Sequence, residues 1–338
     1  MGNSLNTDEL VDHVRSSAQL AAILEVSGWP KPGNVHRTRD HPETRYEHFL
    51  VGSVVLGHSV EEAAIRGSMA GKGQLTTSGI GIGGLLKKAV SDIAKSHNGG
   101  NTHLGVCLLS IPLAAAAAKT YIENAEIAPH SLRGNVEKVM ESTTPEDAVN
   151  VYEAIATADS LHSLGRVYGK RSPDLLDKEA GSKIREEGLS LFDVMNDSSS
   201  YDAVARELVT GMEVSFQIAY PELMETFGRT GDINIATVHT FLRILSKVPD
   251  TFIARKVGLE KTRDVKKAVE IGMKETVWIS ETSGRILDLG GLTTEEGRKS
   301  VWEFDGKLQS MGKRYSPGTT ADLTASSLMI ALLCGLKF

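Results

Sequence analysis

Apolar residues recur at three- and four-residue intervals along most of the chain, and no stretch of useful length alternates with the period of a strand. The first helical stretch covers residues 5–27, where Leu10, Val14, Leu20, Ala21 and Leu24 share one face before Gly28-Trp29-Pro30 stops it. The same period predicts helices over about 47–69, 85–95, 104–119, 144–163, 175–191, 202–224, 232–247, 252–257, 264–280, 294–311 and 318–334. The expectation is an all-α protein: residues 1–338 as a single globular domain of about a dozen helices, with its polar chemistry at helix starts and in the loops before them.

Those starts carry clear capping signals. Thr144-Pro145-Glu146-Asp147 combines a cap, a proline at the first position and acids in the first turn. Gly99-Gly100-Asn101-Thr102-His103-Leu104-Gly105 ends one helix and opens an apolar one, in which Pro112 should produce a kink by removing a donor and crowding Leu108. Free backbone N–H groups ringed by an amide, a hydroxyl and an imidazole suit a phosphate. The plain alternative is that Asn101 and Thr102 only cap a core helix while His103 is a satisfied interior histidine.

Two other segments could serve an anion. Residues 30–45 gather Lys31, Arg37, Arg39 and Arg45 around prolines and Gly33, and residues 255–267 hold six basic residues against two acidic ones. His36, His41 and His48 lack the spacing that places two imidazoles on one helical face, so zinc is not expected. The glycines of residues 77–84 have no Gly-Lys-Ser/Thr ending and read as close-packing positions rather than a nucleotide loop.

Composition narrows the partners. With 338 residues and a net charge of −6, the chain has no general field for nucleic acid or an anionic membrane. Cys107 and Cys334 sit in apolar runs and read as core residues of a reducing compartment. No hydrophobic leader opens the sequence, and the uncharged runs at 104–118 and 323–336 fall short of the ~18–20 residues of a membrane span, so a cytoplasmic protein is expected.

Taken together in their order, Pro30-Lys31-Pro32-Gly33, Asn101-Thr102-His103-Leu104-Gly105, Asp250-Thr251-Phe252-Ile253-Ala254-Arg255 and Pro317-Gly318-Thr319-Thr320-Ala321-Asp322-Leu323 resemble the motifs of the triphosphoribosyl-dephospho-CoA synthase family. The start at Ser200-Tyr201-Asp202 is similar too, so the resemblance spans nearly the whole chain. It implies transfer of the triphosphoribosyl group of ATP to a hydroxyl of 3′-dephospho-CoA with release of adenine, ATP serving as substrate and Mg²⁺ sharing its charge. It also implies small-molecule partners, with a homodimer as the candidate assembly.

Carried over residue by residue, the resemblance points to Lys31, Gly33, Asn34, Arg37, Asn101, Thr102, Arg255 and Gly318 for substrate binding. His103, Asp202 and Asp250 become candidates for proton transfer, and Asp250 and Asp322 for the metal, without a choice among them as base. The chain departs from the family pattern at His36, at Phe252 in place of asparagine, at Leu104, and over residues 39–47. Those departures leave two alternatives: a phosphoribosyl transferase acting on a pterin-type cofactor precursor, and an inactive helical interaction protein.

Overall fold

The computed structural model describes residues 5–158, 165–169 and 171–338. Fifteen α-helices account for it; among the described residues β pairing is limited to isolated bridges, two of them in the loop between the first two helices. The central bundle is formed by α1 (Thr7–Ser27), α2 (Tyr46–Gly71), α4 (Leu104–Asn124) and α15 (Gly318–Leu333), each touching the others or sharing a neighbour. Around it pack α3 (Ile82–Ser96), α5 (Pro129–Glu141) and α6 (Pro145–Ala158) on one flank. On another lie α10 (Tyr220–Thr230), α11 (Ile233–Lys247), α12 (Thr251–Gly258), α13 (Val265–Asp288) and α14 (Glu295–Ser310), and the short α7 (Ala180–Glu187), α8 (Leu191–Ser198) and α9 (Ala203–Val209) fill the side between α6 and α4.

Small residues set how closely these helices meet. A Cβ on Gly67 would stand 2.1 Å from the carbonyl oxygen of Ala115, so α2 and the alanine run of α4 touch backbone to backbone. Gly83 has the same role against α6, where its added Cβ would fall 2.2 Å from the Asp147 carbonyl oxygen. Of the glycines in residues 77–84 it is Gly83 that packs backbone to backbone, whereas a Cβ on Gly84 would meet nothing within 4 Å and Gly81 adopts φ 68°. α4 is by length and composition able to span a bilayer, because it continues through Lys119 to Asn124, yet 83% of its apolar window is buried by neighbouring helices. Pro112 lies within α4, as its position required.

Three stretches differ from the periodic expectation. α5 opens on Pro129 and buries Leu132, Val136, Val139 and Met140, a helix whose polar remainder hid its period. The helix expected over 202–224 is broken into α9, a π-turn at Ser215–Ala219, and α10. Buried Glu207 turns inward to accept from Val214 N at 2.8 Å, Ser215 N at 2.9 Å and Ser215 Oγ at 2.6 Å, while Gly211 and Met212 adopt positive φ. That carboxylate satisfies the donors of a new helix start, which periodicity cannot register. Within the helical stretch expected over 175–191 only α7 forms, ended by Gly188 at φ 64°, and α8 begins at its last residue, Leu191. The end of the helix expected over 144–163 lies outside the described residues.

Candidate active site

A cavity of about 600 Å³ opens where α1, α4, α9, α12 and α15 converge, its wall completed by the loop before α2 and the turn before α15. Asn34, Asn101, Thr102, His103, Asp202, Arg255, Gly318 and Asp322 all line it. Lys31, Gly33, Arg37 and Asp250 do not.

Lys31 was expected to grip phosphate, but its ammonium is 0% exposed and bonds the carboxylate of Glu25 and, at 2.9 Å, the Glu25 carbonyl. Burial pushes the lysine's pKa down and that of Glu25 up, each opposed by their mutual attraction. The pair lies behind the wall, with Glu25 facing the cavity and Lys31 shielded by it. Gly33 is a packing residue: at φ 74° its added Cβ would meet Leu308 Cβ at 2.7 Å, and its N–H donates to buried Asp305 at 3.0 Å. Arg37 sits on the surface, donating to the Ser27 carbonyl at 2.8 Å and to Asn234 at 3.1 Å. Asn34 does border the cavity, where its amide donates to the Pro317 carbonyl at 3.1 Å and ties the loop to the start of α15. The divergent His36 points away, 3.4 Å from Asp305 and fully buried.

At the start of α4, Asn101 accepts from Leu104 N at 3.1 Å, which makes it a cap. His103 has both ring nitrogens engaged inside the protein. Ser53 Oγ donates to the Phe49 carbonyl at 2.7 Å, so it accepts from His103 Nε2 at 3.1 Å, leaving Nδ1 to accept from Thr102 Oγ1 at 2.7 Å. Burial, reinforced by His97, pushes this imidazole down to about 3, so it is neutral and its ring only forms wall. His103 is thereby removed from the candidates for proton transfer, and the plain reading of a satisfied interior histidine fits it, because neither ring nitrogen is left free. Gly105 explains the last position of its motif: a Cβ there would lie 2.0 Å from Asp322 Oδ2.

Asp250 is also corrected. One oxygen caps α12 through Ile253 N at 2.9 Å, and the other accepts from Thr320 N and Thr320 Oγ1, both at 2.8 Å, at the start of α15. It is a buried fastener between two helix starts, and burial raises its pKa despite those donors. Asp202 caps α9 with one oxygen, from Val204 N at 2.9 Å and Ala205 N at 3.1 Å; among the described residues no hydrogen bond reaches its other oxygen. Asp322, half-buried on the cavity wall, has none on either oxygen among those residues. Burial, then the like charges of Glu25, Asp250 and Asp202, raises its pKa well above the usual carboxylate range, with Lys31 opposing.

Cations enter from two segments. Arg255 and Lys256 of α12 lie over the ring of Phe252, at 5.2 and 3.5 Å from its centroid, and Lys313 and Arg314 come from the turn before α15. Arg255 Nε is buried without a hydrogen-bond partner among the described residues. The basic run at 255–267 announced Arg255 and Lys256; Lys313, Arg314 and Glu25 had no local signal.

The profile of the ATP:dephospho-CoA triphosphoribosyl transferase family matches residues 11–337. The chain belongs to that family. A solved structure from Archaeoglobus fulgidus, named for triphosphoribosyl-dephospho-CoA synthase, shares the fold at 23% identity with a TM-score of 0.55, over 83% of this chain and 99% of its own. A search of curated proteins finds no match. Membership makes the protein a transferase, and ATP and dephospho-CoA are the small molecules for which the family is described.

For this transferase, magnesium is a question of donors. Among the described residues no three side chains of metal-ligating type converge. Asp250 is fully committed to N–H and O–H donors, whereas Asp202 and Asp322 keep uncommitted oxygens toward one cavity. Magnesium usually takes one or two carboxylates and fills its remaining positions with phosphate oxygens and water, so this donor set fits it only beside a polyphosphate.

Proposed function

We propose that the protein transfers the triphosphoribosyl group of ATP to a hydroxyl of dephospho-CoA and releases adenine. The observation that carries this reading is Asp322: a carboxylate without a hydrogen-bond partner among the described residues, set against the backbone of Gly105 inside a cavity that also presents cations. A hydroxyl must lose a proton to attack a sugar carbon, and an unpartnered carboxylate with a raised pKa is suited to receive it.

In this reading the acceptor oxygen bonds to C1′ of the ATP ribose as the C1′–N9 bond breaks. The bonding pair leaves with adenine, and the proton taken from the hydroxyl ends on adenine in the net reaction. Asp322 holds that proton in transit, and its charge favours the positive character that develops on the ribose. Arg255, which lines the cavity and whose Nε has no hydrogen-bond partner among the described residues, meets phosphate oxygens. Asp202 would hold magnesium with its uncommitted oxygen, and the ion would supply neutralising charge to the polyphosphate.

The test is incubation of the purified protein with ATP, Mg²⁺ and dephospho-CoA, followed by chromatography for adenine and mass spectrometry of the acceptor. Free adenine in equal amount to a triphosphoribosylated acceptor is expected. ADP and phosphate as the sole nucleotide products would overturn the reading.

A further inference from the structure

We propose that His41, Arg255, Lys256 and Lys313 form one subsite for a linear phosphoanhydride, with His41 Nε2 and Arg255 Nε as its buried donors. The inference rests on the reading of the cavity as a nucleotide site and adds which groups grip the phosphates. Its basis is a coincidence of two orphaned atoms: His41 is only 7% exposed, and both His41 Nε2 and Arg255 Nε are buried with no partner among the described residues while their residues line the same cavity. Buried polar atoms without partners are rare, and a pair of them beside further cations calls for an anionic ligand.

The surrounding groups are already in place. Lys313 Nζ reaches Thr44 Oγ1 at 3.1 Å, which brings it to the short hairpin His41–Thr44 that carries the imidazole. Phe252 supports Arg255 and Lys256 on its ring. The charged groups that bear on His41 are Lys313 and Lys256, which with burial lower its pKa, and Asp305 and Asp40, which oppose. A bound phosphate reverses that balance and draws a proton onto Nε2, so anion affinity should strengthen as the pH falls.

The phosphoanhydride could belong to ATP or to the diphosphate of dephospho-CoA. Binding of inorganic tripolyphosphate, followed by calorimetry from pH 8 to 5.5, tests the shared chemistry. Lys313 is exposed, so Lys313→Ala retains the fold, and it should weaken binding about tenfold, the loss of one charge-assisted contact. His41→Gln, checked by its melting curve, keeps a donor but should lose the steeper pH dependence seen in the parent. A rise in KM for ATP in Lys313→Ala assigns the subsite to the triphosphate, and a rise in KM for dephospho-CoA assigns it to the diphosphate. Unchanged tripolyphosphate affinity in Lys313→Ala and an unchanged pH slope in His41→Gln would overturn the subsite, even with adenine released. Tripolyphosphate binding that depends on both residues in a protein that releases no adenine would uphold the subsite and sink the proposed reaction instead.

Discussion

Asp322→Asn removes a charge while keeping the shape of the side chain, so it separates a functional carboxylate from a structural one. A buried polar group without a partner costs about 1–3 kcal/mol, and more when charged. Asp322 is only half-buried, so relief at the lower end of that range, about 1 kcal/mol, is expected on neutralisation. At roughly 2 °C per kcal/mol for a chain of this size, the variant should melt about 2 °C above the parent at pH 7.5. The sign follows from its pKa, which burial raises in the folded protein. Below the unfolded value of about 3.9 both states are protonated, and parent and variant should coincide. As the pH rises from there the parent loses stability relative to the variant, and the gap levels off once Asp322 ionises in the folded state. Turnover should fall about 10²–10⁴-fold with ATP affinity little changed, measured by adenine release and by calorimetry. A variant that melts below its parent at pH 7.5, or that turns over at the parent rate, would refute the argument.

Lys31→Met should destabilise the protein by about 3–5 kcal/mol because it leaves Glu25 charged and buried, and the double variant with Glu25→Gln should recover most of that loss in a denaturant titration. Gly105→Ala should abolish most activity, since its Cβ would stand 2.0 Å from Asp322 Oδ2; a kinetic assay on the folded variant checks it, and wild-type kcat would count against the placement of Asp322. His103→Gln should leave the inflections of the pH–rate profile between pH 5 and 9 where they are, as the imidazole it replaces is already neutral there.

The helices were legible wherever an apolar stripe or a cap spoke for them, as at α1, α6 and α11. They were illegible where a long-range side chain set the break, as Glu207 does for the π-turn. In the site, the helix-start motifs were found correctly, but their roles were divided by burial, which spacing does not encode. Lys31 and Asp250 carry the same residue types that a phosphate and a metal would require, and only their neighbours reveal them as internal partners. Asp322 was read as a metal ligand, and its lack of any partner became visible only once Gly105 stood beside it. Lys313 and Glu25 meet at one cavity from distant parts of the chain, a proximity no local pattern announces.

Asp250 holds the first turn of α12 with one oxygen and that of α15 with the other. Arg255 rides on the former helix and Asp322 on the latter, so the two groups proposed here to meet phosphate and to take the proton stand on helix starts that one carboxylate ties together. A carboxylate is rigid and planar, and it cannot stretch to follow a larger substrate.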